Sequence, residues 1–138
     1  MNRKLLALLG AALVFAYALT GRPTVAHAAG EFDAFQGVWK VSVTPDSQTA
    51  HSGGKAFAEA MIFEDGQLMA ESFAFYGFSV GLCEQVNGQA GTFRTSMSSG
   101  RKGTLVWSGE LSNGTIRGSL LWTRPDGTTW TFAFSGRR

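Results

Sequence analysis

Three consecutive runs of alternating apolar and polar residues, joined by turn dipeptides, fill residues 102–136 and constrain the fold more than any other feature of the chain. Leu105, Trp107, Gly109 and Leu111 share one face of an extended chain, while Thr104, Val106, Ser108 and Glu110 share the other. Asn113-Gly114 follows, and both residues tolerate the positive φ of a two-residue type I′ turn, so the next run folds back antiparallel. Ile116, Gly118, Leu120 and Trp122 supply its apolar face. Arg124-Pro125-Asp126-Gly127 is a second turn signal, with proline presetting φ, and Trp130, Phe132 and Phe134 alternate after it. Three successive strands therefore present one tryptophan-rich face, which something must cover.

Residues 1–28 read as an export signal. Arg3 and Lys4 precede an uncharged run from Leu5 to Leu19, and Ala26-His27-Ala28 offers small residues where a signal peptidase reads. The run is short for a membrane-spanning helix. Removing 28 of the 138 residues leaves 110, enough for one domain with one modest core, residues 29–138. Of the 12 basic side chains Arg3, Lys4 and Arg22 leave with the signal, so 9 face 10 acidic ones and the mature net charge is −1. That balance lacks the clustered positive charge of a nucleic-acid footprint. The expected location is the periplasm or the exterior, with no stable membrane insertion after cleavage.

The remaining segments continue the period-two pattern. Trp39, Val41 and Val43 alternate with Lys40 and Ser42, after which residues 44–55 read as a long polar loop. Phe57, Glu59, Met61 and Phe63 share a face before the hairpin signal Asp65-Gly66, and residues 68–75 read as a returning strand. Phe93, Thr95 and Met97 alternate before Ser99-Gly100 leads into the meander. About eight antiparallel strands in sequence hide one oily face either by closing into a barrel or by stacking as a sandwich. Hairpins that link neighbours in order favour an all-β, up-and-down barrel.

Gly37-Val38-Trp39 at the start of the first strand, with a short turn before it and a long first loop after it, resembles the lipocalins and their wider barrel superfamily, and also small exported bacterial barrels of unassigned role. The resemblance implies that the tryptophan packs across a closed end and that an arginine after the last strand lies over it. Gly37, Trp39 and Arg137, or the adjacent Arg138, are the residues expected to close the barrel.

The opposite end is then the mouth, where the long loop, Phe57, Glu59, Met97, Trp122 and Trp130 gather. Together with Trp107 these are the expected ligand-binding residues, apolar walls with a single carboxylate anchor. A solid core is the competing expectation, because an eight-strand barrel is just wide enough either to fill itself or to hold one small ligand. Glu59, in phase with buried neighbours, reads as a rim carboxylate that reaches water or pairs with Lys55.

Catalytic chemistry has little to stand on. His51 sits on the loop beside Ser52 without a third group to orient it, and with Cys83 it cannot supply a zinc shell. Cys83 is the only cysteine, which excludes an internal disulfide and reads as a buried thiol. No acid, base and nucleophile converge, and no cofactor or metal is expected. Two functions remain. One is non-catalytic binding of a small apolar molecule inside the barrel at the Trp122/Trp130 end. The other is a filled barrel acting as an inhibitor or envelope scaffold through a protein or envelope partner, with an exposed cluster around Tyr76, Phe78 and Val80.

Overall fold

The barrel closes because its first strand pairs with its last. The structure is a computed structural model that describes residues 30–138, so the expected signal at 1–28 lies outside the described residues. Eight antiparallel strands form one sheet: β1 (Gly37–Pro45), β2 (Phe57–Glu64), β3 (Gln67–Ala70), β4 (Gly81–Leu82), β5 (Thr92–Ser99), β6 (Gly103–Ser112), β7 (Thr115–Thr123) and β8 (Thr129–Arg137). Their order is β4-β3-β2-β1-β8-β7-β6-β5, with β1 paired to β8 from Lys40↔Arg137 to Pro45↔Phe132. The remaining seam, between β4 and β5, is stitched rather than fully laddered. Glu84 and Arg94 exchange both backbone bonds at 2.8 and 2.9 Å, and Ser79 N–H donates to the Ser98 carbonyl at 3.0 Å. The result is a nearly closed up-and-down barrel, all-β among the described residues apart from two single-turn helices and two 3-10 turns.

Turn chemistry sets the hairpins. Asn113 and Gly114 have φ of 51° and 77°, and Asp65 and Gly66 have 51° and 79°, the paired left-handed conformations whose twist matches flanking strands. Inward-facing residues line up in rows across the wall. One row runs Met97, Leu105, Trp122, Trp130, and another runs Phe93, Gly109, Gly118, Phe134. In the second row the two glycines let the strands approach each other under the aromatic rings. A Cβ on Gly109 would stand 3.0 Å from both Phe93 and Phe134, and one on Gly118 would overlap the carbonyl oxygen of Ser108.

The end that holds Trp39 is shut by three interactions. A 3-10 turn, Asp33–Phe35, folds Phe35 under the sheet against Phe63 and Phe93, with ring centroids 5.1 and 5.4 Å away. Buried Trp39 donates Nε1–H to the Phe35 carbonyl at 2.6 Å. Arg138 lays its guanidinium 4.6 Å over the Trp39 ring and donates to the Gln36 carbonyl at 2.6 Å. The cation over Trp39 is thus Arg138 and not Arg137, which is exposed opposite Lys40. Strand parity explains the correction: Arg138 continues the inward phase of Phe132 and Phe134, and Arg137 falls between.

Two segments differ from the period-two reading. The loop at 44–55 contains a one-turn helix, α1 (Ser47–His51), whose N-cap Asp46 accepts the Thr49 N–H at 2.8 Å. The expected strand at 68–75 ends at Ala70 and continues as α2 (Glu71–Phe75). We predict that Gly118→Ala lowers stability by about 2 to 3 kcal/mol, because the methyl meets backbone and not a yielding side chain. Gly100→Ala, with open space around it, stays within about 0.5 kcal/mol; paired denaturant titrations check both.

Candidate functional site

At the end opposite Trp39, aromatic rings converge from four strands and from α2. Trp122 and Trp130 are half-buried and meet edge to face at 6.0 Å, and Trp130 leans on Phe132 at 6.3 Å. Phe57 reaches Phe132 at 5.7 Å from β2. Into their midst α2 inserts Phe73, whose ring lies 5.8 Å from Phe57, 5.5 Å from Trp122 and 6.1 Å from Trp107. Such edge-to-face contacts add to the area each ring buries. Phe78 follows from the segment after α2, 5.5 Å from Phe73 and 6.0 Å from Trp122. Arg124, from the β7–β8 turn, covers Trp130 at 4.3 Å, and Trp122 donates its Nε1–H to the Lys102 carbonyl at 2.8 Å. Phe73 stops the mouth, and Arg124 already takes the cation position over its outer ring.

The expected ligand-binding residues separate into three groups. Phe57, Trp122 and Trp130 stand at this end around Phe73. Trp107 lies deeper and fully buried, in register with Thr95 and Leu120, and Met97 is buried in the same cross-strand row as Leu105, Trp122 and Trp130. Glu59 does something else. It is only 5 % exposed, and no ion pair joins it to Lys55. Its Oε1 accepts the N–H of Ser72 at 3.0 Å and of Ala60 at 2.9 Å, and its Oε2 accepts the Ser72 hydroxyl. The reason is local. β3 pairs with β2 only along Met61–Glu64, so beyond Met61 the sheet hands over to α2, and the carboxylate supplies acceptors to the first turn of that helix.

One polar atom in the interior has no such partner. Trp107 is 0 % exposed, and its Nε1–H meets no acceptor among the described residues.

The surface cluster expected around Tyr76, Phe78 and Val80 is partly corrected. Phe78 is buried, whereas Phe75 is 85 % and Tyr76 59 % exposed and Val80 is also exposed. Helix geometry turns Phe73 inward and leaves Phe75 outward, so the pattern of a strand misplaces this stretch by construction. Below Phe75 and Tyr76 an open groove of about 550 Å³ is floored by Ala58 and Ala60 and flanked by Lys40 and Glu71. A larger one of about 820 Å³ crosses the outer wall between Ser42, Ser108, Ser119 and Ser135.

His51 ends α1 in solvent, and no group of three His, Cys, Asp or Glu among the described residues is placed to hold a metal ion. Hydrogen bonds from the backbone and hydroxyl of Thr49 lower the pKa of Asp46, and those of Thr128 lower that of Asp126; both carboxylates fasten turns. Cys83 is buried beside Thr95, and burial pushes its thiol from 9.0 up to about 12. Comparison found no family model, no curated protein and no solved structure similar to the chain, so the site is read from its own geometry.

Phe73, Ser72 and Phe78 carry this end of the barrel, and the alternation of the sequence does not single them out. The available signal was Gly77, whose φ of 92° suits the residue just past a helix end.

Two outcomes follow. Glu59→Gln turns one acceptor into a donor that faces donors, and is expected to cost about 1 to 3 kcal/mol in a urea titration. The unfolded Cys83 thiol ionises from about pH 9 while the folded one keeps its proton to about 12. Between those values the unfolded state binds fewer protons, so stability falls as pH rises. At pH 8 a disulfide reagent should label Cys83 only as fast as the barrel opens.

Proposed function

We propose that this is an exported, non-catalytic, lipocalin-like barrel that binds a small, mostly apolar molecule in its interior, entering at the Trp122/Trp130 end. The observation that carries this reading is the unpartnered Nε1–H of Trp107. A buried donor without an acceptor costs about 1 to 3 kcal/mol, and native interiors rarely tolerate one. An incoming molecule with one carbonyl or hydroxyl oxygen would remove that cost while its apolar body took the place of an aromatic side chain. Phe73 is the side chain that gives way, since it rides on a single turn of helix fastened through Ser72 to Glu59. Walls of apolar rings with one hydrogen-bonding group fit the composition of small-molecule sites.

A second reading has its own observation. Exposure of Phe75 and Tyr76 favours a barrel filled by its own side chains that acts at its surface, as an inhibitor or envelope scaffold.

Trp107→Phe separates the two. Titration with an oxygen-bearing hydrophobic fluorophore is expected to quench tryptophan emission, and the substitution to weaken that binding about fivefold to tenfold by removing one hydrogen bond. Absence of both binding and quenching, with Trp107→Phe only raising stability, overturns interior binding and leaves the surface-acting barrel.

A further inference from the structure

Each described ring in contact with Phe73 meets it edge to face. The interplanar angles are 74° with Phe57, 88° with Phe78, 77° with Trp107 and 88° with Trp122. At the closed end the rings also tilt, at 32° between Phe35 and Phe63 and 47° between Phe93 and Phe134, so the right angles belong to this position and not to ring packing in general. Four walls set this way form a slot for one flat π system, in which a positive ring edge meets a negative ring face. A saturated ring of equal size has no such quadrupole to offer. The present occupant rides on the five residues of α2, fastened to the sheet through Ser72 and Glu59, with Gly77 at φ 92° just beyond.

We propose, resting on interior binding as the function, that the ligand is a neutral single-ring aromatic molecule with one acceptor oxygen beside the ring, an aryl ketone or aryl ester, and that Phe73 is its built-in stand-in. The polar groups around the slot select the oxygen. Trp107 is one of the four walls, and its Nε1–H is a buried donor with no partner among the described residues. A donor calls for an acceptor, and a carbonyl brings one without adding an N–H or O–H that would itself need satisfying. Both Glu59 oxygens already accept hydrogen bonds, and the Thr95 hydroxyl already donates to the Leu82 carbonyl at 2.8 Å. Charge is selected against in the same way. Arg124 lies over Trp130 from the β7–β8 turn, Lys102 over Tyr76 and Arg138 over Trp39 at the far end, so an anion in the slot would be buried without a counter-charge. The size limit follows from the exchange, since the room that one phenylalanine vacates admits one six-membered ring.

The test titrates the nitrogen-15-labelled full chain with acetophenone and follows the indole N–H signals of the four tryptophans by NMR, the signal of residue 107 being the one that Trp107→Phe removes. Acetophenone should move the Trp107 indole proton downfield, to saturation, as a new acceptor does. Cyclohexyl methyl ketone keeps the oxygen and loses the π face, and α-methylstyrene keeps the ring and puts CH2 in place of the oxygen. Each should bind about tenfold more weakly, the worth of an edge-to-face contact or of one hydrogen bond. Benzoate at the same concentration should leave the signal where it is. Phe73→Leu, which keeps apolar bulk without a ring, should bind acetophenone about fivefold more tightly, because the stand-in has lost its edge-to-face contacts. Equal affinity for acetophenone and cyclohexyl methyl ketone overturns the aromatic class, and benzoate that binds as tightly as acetophenone overturns the neutral one. Unchanged affinity in Phe73→Leu overturns the role of Phe73. If the oxygen-bearing fluorophore binds the wild-type protein while acetophenone leaves the Trp107 signal in place, the ligand class fails and interior binding stands. If neither binds, interior binding has failed and this assignment with it.

Discussion

Everything in this molecule depends on the pairing of β1 with β8. An open meander of eight strands would leave one oily face and two edges exposed; closing the first strand onto the last gives that face an inside and removes one pair of edges. From then on the parity of each residue decides its fate. Trp39, Trp107, Trp122 and Trp130 all turn to the same enclosed side, and the two outermost remain half-buried only because they stand at a mouth. Arg138, one residue beyond the last strand, reaches Trp39 because it keeps the inward phase.

A barrel this narrow sets strict terms for polar groups inside it, and three buried cases are met differently. The Trp39 indole is satisfied by the Phe35 carbonyl, which the 3-10 turn brings beneath it. The Glu59 carboxylate is satisfied by donors that appear only because β3 stops short and α2 begins. The Trp107 indole is left without an acceptor among the described residues. The first two explain how the ends are built, and the third is what makes the interior of functional interest.

Much of the fold was legible because it is written locally. Asn113-Gly114 and Asp65-Gly66 specify hairpins through positive φ, and the alternation of residues 104–111, 116–122 and 130–134 specifies faces. The candidate site was legible only for residues carried on those strands. Residues 68–75 alternate weakly enough to pass for a strand, and a helix of one turn has almost no propensity signal of its own. Its existence depends on Glu59, a residue 13 positions earlier, supplying acceptors to Ser72. Once that turn is helical, Phe73 and Phe75 part company, which is why Phe73 stops the mouth and Phe75 stands in solvent.

The sequence by itself determined that the chain would be built of antiparallel hairpins with one aromatic face, because turn chemistry and a period of two act between near neighbours. Only the tertiary structure decided which arginine covers Trp39, where Glu59 finds its donors, which phenylalanine plugs the mouth and that Trp107 finds no acceptor. Those outcomes are set by contacts between residues distant along the chain, where the closure of the sheet, and no local preference, chooses the partner.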